Sequence, residues 1–284
     1  MSDQPKTRLP KTRLYVDSPL AEGQAVGLDH ERAHFLRHVL RLDKGDAVAV
    51  FNGKDGEWLA EIDGFGKGWC SLAVMDRRRP QADGPDLWLL FAPIKRGRID
   101  FVAEKATEMG VSRLWPVFTR RTDPNRVNTD RLRANAIEAA EQSERLTVPD
   151  LSDPVPLEKA LAGWPEERTL YLCAEVGNVR PIAEAVRGHG GGQGGDGSRG
   201  PAAFLIGPEG GFAQSELDEI CKLPFVVPVG LGPRILRADT AVVAALACWQ
   251  ALSGDWAAGG GDTRPPFRSP ASIRSPADPA GPAI

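Results

Sequence analysis

Between Ala203 and Ala241 the chain carries two short apolar runs, FLI and FVVPV, each cut off by a glycine-rich turn, GPEGGF and GLGPRILR. An apolar run without alternation suits a strand covered on both faces, the condition of a parallel sheet. Gly207 ends the first run; Pro208 fixes φ and offers no N–H, while Gly210 and Gly211 permit positive φ and close approach of main chain to a ligand. Ser215 reads as the N-cap of the next helix, with Glu216 in its first turn and Asp218 at N3. Phe225 to Val229 is the second strand, Gly230 and Gly232 space its turn, and Arg234 and Arg237 project from it. From Thr240 the run AVVAALACWQAL suits a core helix and is too short to span a bilayer. In an open parallel sheet ligands bind where such turns leave the strands' carboxyl ends, so the two turns describe one pocket. No GxGxxG directly follows the first strand and no P-loop GxxxxGK[ST] occurs, which disfavours dinucleotide and phosphate-loop enzymes.

Upstream, LWLLFAPI reads as a buried strand and RIDFVAEKATEMGV as a helix with Ile99, Val102, Ala103, Ala106 and Met109 along one stripe. Gly110 caps its end, LWPVF is the next strand, and together they make the strand, helix, strand unit of a parallel sheet. Arg120, Arg121 and Arg126 follow in a loop able to meet phosphate, and a further helix starts near Asn128 or Thr129. TLYLCA is another buried strand, and RPIAEAVRG a short helix. The glycine-rich stretch 188–200 is expected to be a flexible insertion and the Gly, Pro and Ser-rich 257–284 a disordered tail.

Before residue 80 the pattern is different. Residues 1–12 form a basic tail expected to be mobile, and RLYV, AVGL, AVAVF, WLAEI and WCSLAV are then separated by turns such as Asn52-Gly53 and Asp63-Gly64. This predicts a small β-rich domain over 13–80, a boundary at PQADGPD, and a second domain over 86–256. Within the first lies a helical segment with Phe35 or Leu36, Val39 and Leu40 on its apolar side and His30, His34 and His38 on one face. No carboxylate or cysteine completes a metal site there, so that face, with Arg37, Arg41 and Lys44, is either an RNA-facing surface or merely solvated. Arg77, Arg78 and Arg79 either contact phosphate or form a solubilising linker. The net charge of −3 argues against nonspecific coating of nucleic acid, though not against a local basic face. Cys70, Cys173, Cys221 and Cys248 lie far apart without zinc spacing, as buried thiols in a reducing cytosol would. No signal peptide or spanning segment stands out, and a cytoplasmic location is expected.

LIGPEGGF together with LGPRILRADTA resembles the paired signature of the bacterial ribosomal RNA uridine-N3 methyltransferases, the RsmE-like branch of the SPOUT class. HFLRHVLRLDKGDAVAVFNG, KRGRIDFVAEKATEMGVSRLWPV and AAEQSERLTVP resemble further parts of the same family, in its order, so that the likeness runs from about Arg13 to Leu252. It implies an α/β fold, a SPOUT-type parallel sheet with a C-terminal trefoil knot, preceded by a small PUA-like β-barrel that recognises RNA. It implies S-adenosyl-L-methionine as cofactor, held by Leu172, Gly207, Glu209, Gly210, Gly211, Leu231, Gly232, Ile235 and Leu236. The partners implied are small-subunit (16S) ribosomal RNA and a second copy of the chain, with no metal and no membrane. RNA-side candidates are Arg13, Arg37, Arg41, Lys95, Arg98, Arg120 and Arg121, with Gln142 and Arg145 on the substrate side of the pocket; Lys105 also occupies a family position. Arg237 is the catalytic candidate, as a clamp for the uracil anion; anchoring a phosphate or capping a helix is its alternative. Met109 stands where leucine is usual and Asp239 where glutamate is common. A non-catalytic RNA-binding or ribosome-assembly factor of the same fold is the rival reading.

Overall fold

The computed structural model describes residues 9–95, 97–174, 179–189 and 200–256. Most of the expected insertion and all of the expected C-terminal tail lie outside the described residues. The chain divides into two units, one ending at Ala82 and the other beginning at Asp83.

The first unit is a five-stranded sheet in the order β1-β3-β4-β5-β2, built from β1 (Arg13–Tyr15), β2 (Ala25–Leu28), β3 (Ala47–Phe51), β4 (Glu57–Gly66) and β5 (Trp69–Arg79). β1 runs parallel to β3 and the remaining pairs are antiparallel. Val48, Val50, Ile62, Leu72 and Val74 alternate into one apolar core, as period-two patterning requires. The end of the expected N-terminal tail is part of this unit: the Lys11 N–H donates to the Ala47 carbonyl at 2.9 Å and its ammonium pairs with Asp46 at 2.7 Å.

Helix α1 (His30–His34) is capped by the Asp29 carboxylate, which accepts from the Arg32 N–H. It passes directly into a π turn over Phe35–Val39, not a continued α-helix. The extra residue per turn shifts the apolar stripe, so Leu36 is fully buried whereas Val39 is 59% exposed, against the expectation that Val39 faces the core.

The second unit is a parallel sheet in the order β11-β13-β10-β12-β6-β7-β8, with β9 (Val155–Pro156) pairing β7. Its strands are β6 (Leu87–Phe91), β7 (Arg113–Phe118), β8 (Asp150–Leu151), β10 (Thr169–Cys173), β11 (Arg180–Pro181), β12 (Ala202–Ile206) and β13 (Val226–Gly230). All pairings are parallel, so every loop that follows a strand leaves at the same edge. Helices α2 (Arg98–Glu108), α3 (Thr129–Gln142), α5 (Ile182–His189) and α7 (Ala238–Leu252) join one core layer with Phe91, Phe204 and Val229. Helices α4 (Leu157–Ala162) and α6 (Gln214–Ile220) belong to the other, with Leu172, Leu205 and Trp164. Two-sided cover explains why β12 reads AAFLI and is buried at every position.

Local capping follows the residues in most places. Asn128 caps α3 by accepting from the Arg131 N–H, and Gly110, at φ +86°, ends α2 where a Cβ would lie 2.6 Å from Gln250 Nε2. Gln250, fully buried on α7, donates to the Met109 carbonyl at 2.6 Å and so ties the last helix to that turn. Ser215 is not a cap. α6 starts two residues earlier, after Ala213, and the Glu216 carboxylate reaches back to the Ala213 N–H instead.

Candidate functional site

The two glycine-rich turns leave β12 and β13, which flank β10 in the sheet, and meet. Residues 207–212 after β12 and 230–238 after β13, with Cys173 and Ala174 at the end of β10 lying between those strands, line one cavity of about 440 Å³. The walls are largely main chain and apolar side chains. At Gly207 an added Cβ would lie 2.7 Å from the Phe212 ring, and Gly232 holds φ +105°, where other residues are strained. The first bend is fixed by a turn in which the Gly211 N–H donates to the Pro208 carbonyl at 2.9 Å. From below it is held by buried Glu216, which also accepts from the Arg120 N–H at 3.1 Å. Arg121 reaches over from the loop after β7 and donates to the Gly210 carbonyl at 3.0 Å.

Every cofactor candidate except Leu172 lines this cavity. Leu172 is fully buried in the opposite core layer, because successive strand residues alternate faces and its neighbour Cys173 takes the cavity side. Burial pushes the Cys173 thiol up to about 12, which favours the protonated form. Ile235 lines the mouth with 83% of its surface exposed, and Arg237, exposed beside it, immediately precedes α7. At the other side of that helix start Asp239 lies 3.9 Å from Arg98, the first residue of α2.

Several basic candidates turn out to be occupied. Arg13 is buried, its guanidinium 2.6 Å from Glu57 and stacked 3.6 Å over the Phe51 ring; it is not an RNA contact. Arg78 and Arg79 reach the same carboxylate at 2.9 and 2.7 Å, which also corrects the phosphate-contact or linker reading of that pair. Burial alone raises the Glu57 carboxyl, but the Arg13 hydrogen bond and the charges of Arg13 and Arg79 outweigh it and leave it below the usual range. Arg145 donates to the Thr107 and Val111 carbonyls and to Thr147, joining the end of α3 to the α2–β7 turn; its guanidinium does not face the cavity. Burial lowers Arg145 to about 10. Arg120 is engaged by Ser215 and Glu219. Lys105 pairs with Glu108 at 2.7 Å along α2. Arg37 lies over Phe65 at 5.1 Å, Arg41 is exposed at φ +56°, and Lys95 and Gln142 are exposed.

Sequence reasoning missed Phe212, Val179 and the inward reach of Arg121. The apolar pair gives no local signal, and Arg121 is recognisable only once β7 is placed near β12. Among the described residues no three His, Cys, Asp or Glu side chains converge as metal ligands, and no helix is long and apolar enough to cross a membrane.

Residues 82–250 match the RNA methyltransferase domain family and residues 28–68 the RNA methyltransferase PUA domain. Ribosomal RNA small subunit methyltransferase E of Rickettsia conorii is 32% identical, over 83% of this chain and 93% of its own. The protein of that name from Synechocystis sp. is 31% identical, over 80% of this chain and 73% of its own. The crystal structure of ribosomal RNA small subunit methyltransferase E from Neisseria gonorrhoeae bound to S-adenosyl methionine superposes with a TM-score of 0.73 at 27% identity, covering 86% and 99% of the two chains.

Proposed function

That this chain belongs to the RNA methyltransferase family is the premise from which we propose its function: S-adenosylmethionine-dependent methylation of uridine N3 in small-subunit (16S) ribosomal RNA. One observation carries the reading. Two glycine-rich bends separated in sequence by α6 and β13 wall a single cavity, and their glycines bring main chain to meet the occupant.

Methyl transfer to a ring nitrogen is an in-line displacement, which requires alignment of donor and acceptor and exclusion of water. When bound, S-adenosylmethionine supplies the electrophilic methyl group. The cavity fits it: the missing Cβ of Gly207 lets the Phe212 ring pack closely against the first bend, Gly232 faces open space at positive φ, and the volume lies in the range of small-molecule sites. Gly207, Glu209, Gly210, Gly211, Leu231, Gly232, Ile235 and Leu236 would hold it. Arg121 braces the first bend through the Gly210 carbonyl. Arg237, at the mouth, carries a guanidinium that is already protonated and cannot take the N3 proton; that proton passes to solvent, and Arg237 steadies the negative charge left on the uracil oxygens.

The finer architecture belongs to the same reading: the bends form a trefoil knot, residues 86–256 the catalytic domain, and residues 13–80 a PUA-like barrel that grips RNA through Arg37 and Arg41. Lys95, Arg98 and Gln142 lie toward the RNA. The enzyme is a cytoplasmic homodimer with the cavity at the subunit interface; the exposed Ile235 at its mouth supports this. Nucleoside mass spectrometry of ribosomal RNA from a strain lacking the protein tests the substrate. Loss of N3-methyluridine is expected and its retention overturns the assignment. A non-catalytic assembly factor predicts no heat of binding with S-adenosylmethionine in calorimetry; the enzyme predicts saturable binding.

A further inference from the structure

A second cavity, of about 570 Å³, opens beside the donor cavity in the same unit and has no part in the chemistry above. Its walls come from the segment after β6 (Pro93, Ile94, Ile99) and the segment after β7 into α3 (Arg126, Val127, Thr129). Because all strands are parallel, these segments leave at the edge of the sheet from which the two glycine bends leave. β6 is hydrogen-bonded directly to β12, with Phe91 opposite Ile206, so Pro93 and Gly207 start from adjacent strands, about 5 Å apart in the sheet. Further out, Ile99 lines the second cavity and Ala238 the first, and their neighbours Arg98 and Asp239 stand 3.9 Å apart between the two.

The lining has two chemical ends. Half-buried Ile99 and Val127 offer an apolar surface to a flat ring over a floor of buried Pro93, Ile94 and Leu132, and the Thr129 hydroxyl and Arg126 guanidinium offer donors. The Asp100 carboxylate is already neutralised: it accepts from Arg131 at 2.9 and 2.7 Å and from Asn135 at 3.0 Å. Asp130, exposed in the first turn of α3, is the acidic group that remains in the lining, which disfavours a small free polyanion and favours an occupant bearing one dispersed phosphate charge. The carboxyl edge of a parallel sheet is where ligands commonly bind, in pockets that combine apolar surface with a few placed polar groups.

We propose that this cavity is an acceptor-side subsite, seating a ribonucleotide of the RNA substrate that flanks the methylated uridine, its base against Ile99 and Val127 and its phosphate at Arg126, with the Arg98–Asp239 pair as the partition from the methyl donor. It rests on the methyl-transfer reading for its RNA but not for its geometry. Fixing a nucleotide there orders the acceptor beside the donor without making any contact to the donor itself, so it acts on RNA affinity alone.

The test uses the full chain with a small-subunit ribosomal RNA transcript. Thr129→Trp, which fills the cavity, should raise the KM for RNA by about tenfold or more, and Arg126→Ala by a smaller factor that Arg126→Lys restores in part. Both should leave S-adenosylmethionine affinity in calorimetry within about twofold, a readout that a misfolded variant would not pass. A photocrosslinking residue at Val127 should capture the transcript, and uridine monophosphate should compete. Capture is independent of turnover, so it stands apart from failure of the methyl-transfer reading. Unchanged KM in Thr129→Trp with intact donor binding, or no capture at Val127, overturns the proposal; capture that only a longer RNA displaces supports an RNA segment over a free nucleotide.

Discussion

In the first unit the arginines turn inward: Arg13, Arg78 and Arg79 converge on one buried carboxylate, Glu57. In the second, Arg126, Arg234 and Arg237 stand in the linings of cavities at the carboxyl edge of the sheet, beside Arg121, whose guanidinium is spent on the Gly210 carbonyl. The residue type is the same and the consequence opposite. A long cationic side chain on a small sheet with little apolar volume stabilises the unit only if its charge is matched within it, whereas one in a loop past a strand end can stay in water and be open to a ligand. Charge read along a sequence therefore says little about which partner it meets. Glycine at a strand end says more, because the backbone freedom it supplies is needed at few places other than a turn or a close approach.

This contrast can be broken by separating fold from function in each unit. The largest effect is expected from Glu57→Ala, which strands three cations and should destabilise the first unit by about 3–5 kcal/mol in urea unfolding while S-adenosylmethionine affinity holds. An equal loss in donor binding would mean the units do not divide the labour this way. Next comes Arg237→Ala, expected to lower turnover by about 10²–10³-fold, or roughly 3–4 kcal/mol, with donor affinity spared in calorimetry. Unaltered turnover removes Arg237 from the chemistry and leaves it an anchor. Gly232→Ala, at φ +105°, should cost about 1–2 kcal/mol and appear as weaker donor binding, not as lost RNA affinity. The smallest effect is that of Arg37→Ala, about a few-fold in RNA binding with a shallower salt dependence. An effect on RNA as large as that of Arg237 on turnover would reverse the roles given to the two units.

Acid sharpens the same contrast. Glu57 has a folded pKa below its unfolded value, so its contribution is fully present above the ordinary glutamate range, near about 4.3, and is lost as pH falls through the lowered value. Thermal melts from pH 7 downward should therefore hold the first unit steady until below about pH 4.3. In Glu57→Gln that acid-dependent loss should be flattened.

Much of the fold was legible. The continuous apolar runs LWLLF, TLYLC and AAFLI became central parallel strands, and Gly110 and Asn128 ended and began helices as their chemistry dictates. What escaped was register and direction. Leu172 was displaced from the cavity by one residue of strand alternation, and Val39 was moved out of the core by a π turn that no periodicity of 3.6 anticipates. Arg145 and Arg13, both basic and next to family motifs, were claimed by carbonyls and by a buried carboxylate far away in the chain.

By itself the sequence determined where strands end in glycine, since conformational freedom is a property of the residue and travels with it. It determined too that a parallel sheet must carry those ends. Tertiary structure alone decided that β10, β12 and β13 lie side by side so the two bends face one space, and that β6 sets a second cavity next to it. It also decided which arginines are spent on the fold, because the partner of a charge is chosen by distance in space, which no spacing along the chain records.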